Sequence, residues 1–334
     1  MALPATYRKL LVTEISPDFA RATRVVEAPL PRPGADEVLI RNRFAGVNAS
    51  DPVFAAGGYG NTATPFEIGI ESAGEVAALG SAVTHLKPGD AVMHFGFGGG
   101  YAEYRVAKAS EVIPVPAASA EAVSVLIAGL TASVALEVSE LRQGETVLVT
   151  AAAGGVGSYS VQLAKQAGAH VIGTCGSGEK AQWLRRLGCD RVIDYRREDV
   201  AAVLAAEYPR GVDVVFENVG RELFDIAAAN LAVFGRLVSI GAVSEYRGGM
   251  QWESVSQVRI YQQLLAKSAV VRGFFLPHYP ERFAEHLQKL FGLIGQGAIV
   301  APVDAREFHG IDAVRAAVAH LQGGANSGKV VVRF

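Results

Sequence analysis

The sequence predicts an α/β protein in which a doubly wound parallel sheet, covered by helices on both faces, is joined to a smaller β-rich domain. Three observations predict it. Short apolar strands alternate with helical stretches from about residue 145 to residue 240. A glycine-rich turn separates the first of these strands from its helix. The preceding third of the chain carries strand-length runs broken by turn residues, with few helical patterns. At 334 residues, half of them apolar and 19% charged, the chain suits two domains and a large buried core.

The first third reads as strands at Glu37–Phe44, Gly74–Ala78, Ala91–Phe95 and Ala102–Val106, set off by Pro33-Gly34 and Pro88-Gly89-Asp90, with Gly96–Gly100 as a glycine-rich loop. Pro114 and Pro116 close this region. Ala120–Glu140 has helix-spaced apolar residues interrupted at Gly129. Strands and helices then alternate: Val147–Thr150, helix Val156–Ala167, Val171–Thr174, helix Glu179–Leu187, Val192–Ile193, helix Val200–Tyr208, Val212–Glu217, helix Leu223–Leu231 and Leu237–Ile240. Such alternation implies right-handed crossovers and a parallel sheet. The tail, Pro302–Phe334, ends in the strand-like stretch Lys329–Phe334, which suits the first domain. The expected division is therefore 1–125 with 300–334 for the β-rich catalytic domain and 126–299 for the Rossmann domain.

Net charge of −2 with scattered basic residues argues against a nucleic-acid partner. No run of eighteen apolar residues suggests a membrane span, and the first residues lack a signal-peptide plan. Two cysteines, Cys175 and Cys189, form no disulfide framework, so a reducing cytoplasm is expected.

The chemistry starts at Ala151–Gly157, where Gly154, Gly155, Val156 and Gly157 follow a strand and open a helix. Glycines let the backbone approach a pyrophosphate, and the helix N-terminus offers N–H groups and a favourable dipole. NAD-binding units place a carboxylate about twenty residues further on. Here that window is Gly173–Gly178, with no carboxylate, while Ser177 and Lys180 stand where a 2′-phosphate would need a hydroxyl and an ammonium. NADPH is the expected cofactor. Tyr195, Asn218 and Gly241 complete the expected cofactor set within this domain.

With these residues placed, the whole chain resembles the medium-chain dehydrogenase/reductase superfamily, in its zinc-free quinone oxidoreductase and enoyl reductase branch. The carriers are Gly46–Asp51, Gly69–Gly74, Gly129–Ala132, the Ala151–Gly157 turn and Asn326–Val330. Arg41–Asp51, Val149–Gly155, Val171–Cys175, Leu187–Arg191 and Gly273–Tyr279 are most similar to the third prostaglandin reductase type, which reduces the conjugated double bond of α,β-unsaturated ketones with NADPH. The resemblance implies a GroES-like fold for the first domain. It also implies that Thr131, Asn326, Phe274 and Phe275 contact the cofactor and that the chain forms a homodimer. Zinc-dependent relatives place Cys where Asn48 stands and His where Ile70 stands. Of their ligands only Glu71 survives, and one carboxylate cannot hold a tetrahedral zinc ion.

Without a Lewis acid, reduction of an activated C=C bond is the expected chemistry, because it needs only a hydride, donors for the developing enolate oxygen and a proton. Tyr59, in Gly57-Gly58-Tyr59-Gly60, matches the tyrosine of the corresponding segment of enoyl reductases and is the candidate acid. Its alternative is a turn aromatic packed beside Phe54 and Phe66. Asn48 is expected to face the nicotinamide or the substrate carbonyl; its alternative is an amide tying the Ser50-Asp51 turn. Asp51 is expected to cap local backbone. Phe95, Tyr246 and Tyr279, with Phe97, Tyr101 and Trp252, are candidates for a pocket taking a small hydrophobic carbonyl substrate, half of this wider aromatic set being core. Tyr246–Gln263 is a candidate lid. Quinone reduction, enoyl-CoA reduction (with Arg247, Arg259 and Lys267 as weak phosphate partners) and a binding role with little turnover are the alternatives.

Overall fold

The computed structural model of the chain describes residues 3–60, 63–246 and 260–334. Trp252, Arg247, Arg259 and most of the expected lid lie outside them. The chain forms two compact units, one containing Met1–Ile127, Tyr246 and Val303–Phe334, the other Ala128–Glu245 and the described residues up to Pro302.

The second unit holds the doubly wound sheet. Six parallel strands lie in the order Arg191–Asp194, His170–Cys175, Thr146–Val149, Val212–Glu217, Leu231–Ser239 and Val270–Gly273. The central strands are Val- and Ile-rich because helices cover both faces, and Leu148, Ile172, Ile193, Val215 and Leu237 share one core with Val200, Leu204, Ala227 and Ala228 from the helices. Strand order reverses at Thr146–Val149, whose successor in sequence lies on one side and whose next neighbour on the other. Ligands bind at the carboxyl ends of strands at such a reversal.

Three local expectations change. The helix expected to run through Leu231 ends at Ala229, where the Asn230 amide donates back to the Ile226 carbonyl at 2.8 Å, and Leu231 opens a nine-residue strand. Leu231 is recruited by pairing with Val212, after which the register shifts before Val214 meets Arg236. That long-range pairing overrides a locally helical pattern. Val270–Gly273 is a sixth strand, too short to have shown a period in the sequence. Gly129 does not interrupt its helix. Instead the helix passes through one π turn, Val125–Gly129, and continues as Leu130–Val138. A Cβ on Gly129 would lie 3.2 Å from the end of the Leu290 side chain, a tight contact. Ala120–Val138 has the length and hydropathy of a membrane span, but 78% of that window is buried, as in a core helix.

The first unit is built on a seven-stranded sheet. Phe308–His309, Val331–Arg333, Glu37–Gly46, Glu71–Leu79, Ala91–Phe95 and Val112–Pro114 run in that order, with Tyr104–Lys108 also paired to Glu37–Gly46. The C-terminal strand thus lies antiparallel to residues 44–46. Thr23–Pro29, Thr6–Val12 and Phe66–Glu67 form a second sheet that the sequence reading left unassigned. Val12, Val47, Ile68, Tyr101, Val330 and Val332 meet in the core between them.

Candidate active site

In the first unit, the Glu37–Gly46 strand delivers Asn48 and Asp51, the Glu71–Leu79 strand begins with Glu71, and the chain entering Val331–Arg333 supplies Lys329. These residues form one polar cluster. The Lys329 ammonium donates to Asn48 Oδ1 at 2.6 Å and pairs with Glu71 Oε1 at 2.5 Å. Asn48 Nδ2 donates to the same Glu71 oxygen at 2.9 Å, and the Ile127 N–H donates to Glu71 Oε2 at 3.0 Å. Glu71 is fully buried and Lys329 is 4% exposed. A Cβ on Gly46 would stand 2.2 Å from Glu71 Oε1 and 2.8 Å from Lys329 Cε, so only glycine leaves room for the pair.

Asp51 adjoins this cluster. Its Oδ2 accepts from the Asn48 N–H at 2.7 Å and the Tyr101 hydroxyl at 2.5 Å, and its Oδ1 has no partner among the described residues. Burial pushes its carboxyl up to about 7, against the lowering by Tyr101, the Asn48 N–H and Lys329. Asp51 therefore does cap local backbone. Tyr101 is core, with no exposed surface.

Tyr59 sits in a tight turn, Gly58–Gly60, with φ of 58°, a left-handed conformation rare for an aromatic residue. Its ring lies 4.9 Å from Phe54, which meets Phe97 at 4.9 Å; Phe97 in turn stacks on Phe66 at 6.1 Å. Tyr59 thus ends an aromatic row, contacting Phe54, yet remains 48% exposed. Burial, then the Tyr246 side chain hydrogen-bonded to it, hold its phenol well above the usual range, so it stays protonated at neutral pH. Phe66, Phe97, Gly98, Gly99 and Arg105 line a cavity of about 220 Å³ beside this row. Phe95 ends the strand Ala91–Phe95, opposite Glu71. Asn326 is buried, and its amide donates to the Gly328 carbonyl at 2.8 Å, shaping the turn that leads to Lys329.

In the second unit, Ala151–Gly157 leaves the central strand with Ala151 at φ 47°. Gly154 precedes the helix Gly155–Gln166 with no side-chain cap, so its N-terminal dipole stays open to an anion. A Cβ on Gly157 would lie 2.4 Å from the Ala151 carbonyl oxygen, which makes glycine necessary. The turn is braced on both sides. Ala152 N–H donates to the Thr174 carbonyl at 3.0 Å, and Thr150 Oγ1 accepts from the Asn218 N–H at 2.8 Å while donating toward Glu217 at 3.2 Å. Glu217 is buried, and its carboxylate accepts from the Val219 and Gly220 N–H groups. Asn218 Nδ2 is taken up by the Thr150 and Phe216 carbonyls, and the Gly241 N–H meets the Glu217 carbonyl.

The next strand end carries Ser177, whose hydroxyl caps its helix by accepting the Lys180 N–H at 3.3 Å. Tyr195 is 53% exposed and crowds Gly176, whose added Cβ would lie 2.4 Å from the phenol oxygen. Ser177, Lys180 and Tyr195 therefore gather at adjacent strand ends. Thr131 is buried in its helix. Phe274 is buried and stacks on Tyr279 at 5.2 Å, and half-exposed Phe275 meets His278 edge-on. The Lys267 ammonium is held by the Ala229 carbonyl.

Known proteins with this architecture share both halves. A model of the alcohol dehydrogenase GroES-like domain matches residues 34–117, and a zinc-binding dehydrogenase model matches 155–292. The chain is 45% identical to prostaglandin reductase-3 of Mus musculus, covering 100% of this chain and 91% of that protein. It belongs to the medium-chain dehydrogenase/reductase superfamily. A probable quinone oxidoreductase of Leishmania amazonensis is 41% identical over the full length of both chains. The structure of Escherichia coli quinone oxidoreductase complexed with NADPH superposes with a TM-score of 0.86 at 29% identity, covering 98% of this chain and all of that one.

Within this superfamily the zinc question is decided by donors. At the one surviving ligand position, the Glu71 carboxylate is already engaged by an ammonium, an amide and a backbone N–H. A zinc ion there would face the Lys329 charge and lack nitrogen or sulfur ligands, so this donor set does not fit it. Among the described residues no group of three His, Cys, Asp or Glu is placed to hold a metal.

Sequence reasoning missed Lys329, Thr150, Thr174 and Glu217 as parts of the site, and read Tyr101 as a pocket aromatic rather than as the hydroxyl partner of Asp51. Glu217 left a signal, a lone acid ending an apolar strand beside the reversal point. Lys329 left none beyond its place in the Asn326–Val330 motif.

Proposed function

We propose that this superfamily member is an NADPH-dependent reductase of the conjugated C=C bond in hydrophobic α,β-unsaturated ketones and aldehydes. The observation that carries the reading is the Asn48–Glu71–Lys329 cluster: hydrogen-bond donors stand where zinc-dependent relatives would hold a Lewis acid. The name of the mouse relative supports the substrate class, and the NADPH complex of the E. coli relative supports the cofactor.

The uncapped helix N-terminus and the glycine surface at Gly154–Gly157 fit a pyrophosphate, and Ser177, Lys180 and Tyr195 offer hydroxyls and an ammonium for a 2′-phosphate, with no carboxylate in Gly173–Gly178 itself. NADPH, when bound, supplies the hydride. In this reading Thr131, Asn218, Gly241, Phe274, Phe275 and Asn326 seat the rest of that molecule. Asn48 donates to the substrate carbonyl oxygen as it gains negative charge. Tyr59, protonated at neutral pH, delivers a proton to the α-carbon, its hydroxyl held by Tyr246. Phe95, Tyr246 and Tyr279 supply apolar surface for the substrate.

The protein is expected to work in the cytoplasm as a homodimer. Among the described residues Val270–Gly273 is an edge strand of the parallel sheet, with Val270, Val233 and Phe234 exposed. Unpaired apolar edges of this kind are usually covered.

The test follows the loss of NADPH absorbance with a long-chain enone, a 15-keto-prostaglandin, a short enoyl-CoA and a simple quinone, with NADH controls. Turnover selective for enones and for NADPH is expected. Selectivity for the quinone would replace the reading by the one the Leishmania relative's name suggests. Tight NADPH binding without any turnover would favour a binding role.

A further inference from the structure

We propose that Lys329, together with Glu71, is the positioning pair that fixes which way the Asn48 amide faces, committing Asn48 to donate to its ligand. Lys329 has only donors and a carboxylate has only acceptors, so neither partner tolerates an amide turned by 180°. Asn48 Oδ1 must face Lys329 at 2.6 Å, and Nδ2 must face Glu71 at 2.9 Å. The Lys329–Glu71 contact of 2.5 Å closes the triangle.

This leaves one amide hydrogen. The second N–H of Nδ2 has the Gly46 carbonyl at 3.4 Å, beyond the usual range for a good hydrogen bond. That hydrogen is available to an incoming acceptor, while Oδ1 already accepts from the Lys329 ammonium. The site therefore presents an oriented donor to an acceptor atom such as a carbonyl oxygen. The buried ammonium and carboxylate hold the amide at low conformational freedom, so the donor is oriented before the substrate arrives. The link to turnover rests on the enone-reductase reading above.

The test uses the full-length protein in a double-mutant cycle. Glu71→Gln with Lys329→Met removes both charges together, so no unpaired buried charge is left. Relative to wild type, kcat for the enone is expected to fall about tenfold, with KM changing less than about threefold and NADPH affinity within about twofold. Adding Asn48→Ala to that variant is expected to cost little more, because both changes remove one device. Unchanged kcat, or losses that multiply to roughly a hundredfold, would overturn the proposal.

A second readout needs no substrate. In protein labelled with ¹⁵N at asparagine, the Asn48 side-chain amide signals, assigned by their loss in Asn48→Ala, should exchange slowly with water in wild type and fast in the paired variant. Equal exchange in both overturns the positioning claim. Slow exchange lost in the variant, in a wild-type protein that reduces no enone, supports the positioning and sinks the enone reading alone.

Discussion

Tyr59 holds a left-handed backbone between two glycines, and a bulky residue keeps such a conformation only where its surroundings determine it. Tyr59→Phe keeps the ring against Phe54 and removes only the hydroxyl. It is expected to lower kcat for enones about 100-fold with little effect on NADPH affinity; steady-state kinetics and a cofactor titration check it, and unchanged kcat would assign the proton to water. Because burial raises the phenol rather than lowering it, Tyr59 itself imposes no loss of activity between about pH 7 and 9.

Asp51 gives a stability prediction with a definite sign. Its folded-state value, about 7, lies above its ordinary value of 3.8. The native state thus holds the proton more tightly, and stability is lost as pH rises through that interval. Asp51→Asn keeps an oxygen for Tyr101 and removes the titration. Thermal melts at pH 5 and pH 8 should show a smaller drop in Tm for the variant than for wild type. An equal drop would place the titration elsewhere.

At the scale of elements, the turn at Ala151–Gly157 binds sequence to function most tightly. Gly157→Ala puts a methyl 2.4 Å from the Ala151 oxygen and 2.7 Å from Ala152 Cα, backbone atoms that cannot swing aside. NADPH affinity, followed by fluorescence titration, is expected to fall more than about tenfold (over roughly 1.4 kcal/mol), with a lower Tm. Retained affinity would show that the turn does not carry the pyrophosphate. This turn was legible in the sequence because strand, glycines and helix are contiguous. The same locality made the alternation from Thr146 to Glu217 readable, since each fully buried strand announces itself as an apolar run. Leu231 misled for the opposite reason: its strand identity comes from pairing with Val212, which local pattern does not record. Thr6–Val12 and Thr23–Pro29 went unassigned, each carrying charged residues on a partly exposed face that blurs the period.

For the whole molecule, the limit of legibility is sequence separation. Asn48 and Glu71 were recognised as positions, but their partner Lys329 is 281 residues from Asn48, and only the folded sheet brings the C-terminal strand beside residues 44–46. Tyr101 was read with the pocket aromatics for the same reason, its hydroxyl partner lying 50 residues earlier. Assembly belongs to this scale too. Sedimentation should give a dimer, and Val270→Lys, which places a charge on the exposed edge strand, should shift it toward monomer. A monomeric wild type, or a variant that sediments unchanged, would remove that edge as the interface.

In the proposed reaction, hydride reaches the β-carbon of a conjugated carbonyl. NADPH deuterated at the transferable C4 position, incubated with protein and a long-chain enone, tests it through the product's NMR spectrum. A saturated ketone carrying one deuterium at the β-carbon and a solvent-derived proton at the α-carbon is expected. Deuterium on the carbonyl carbon, as in an allylic alcohol, would contradict it.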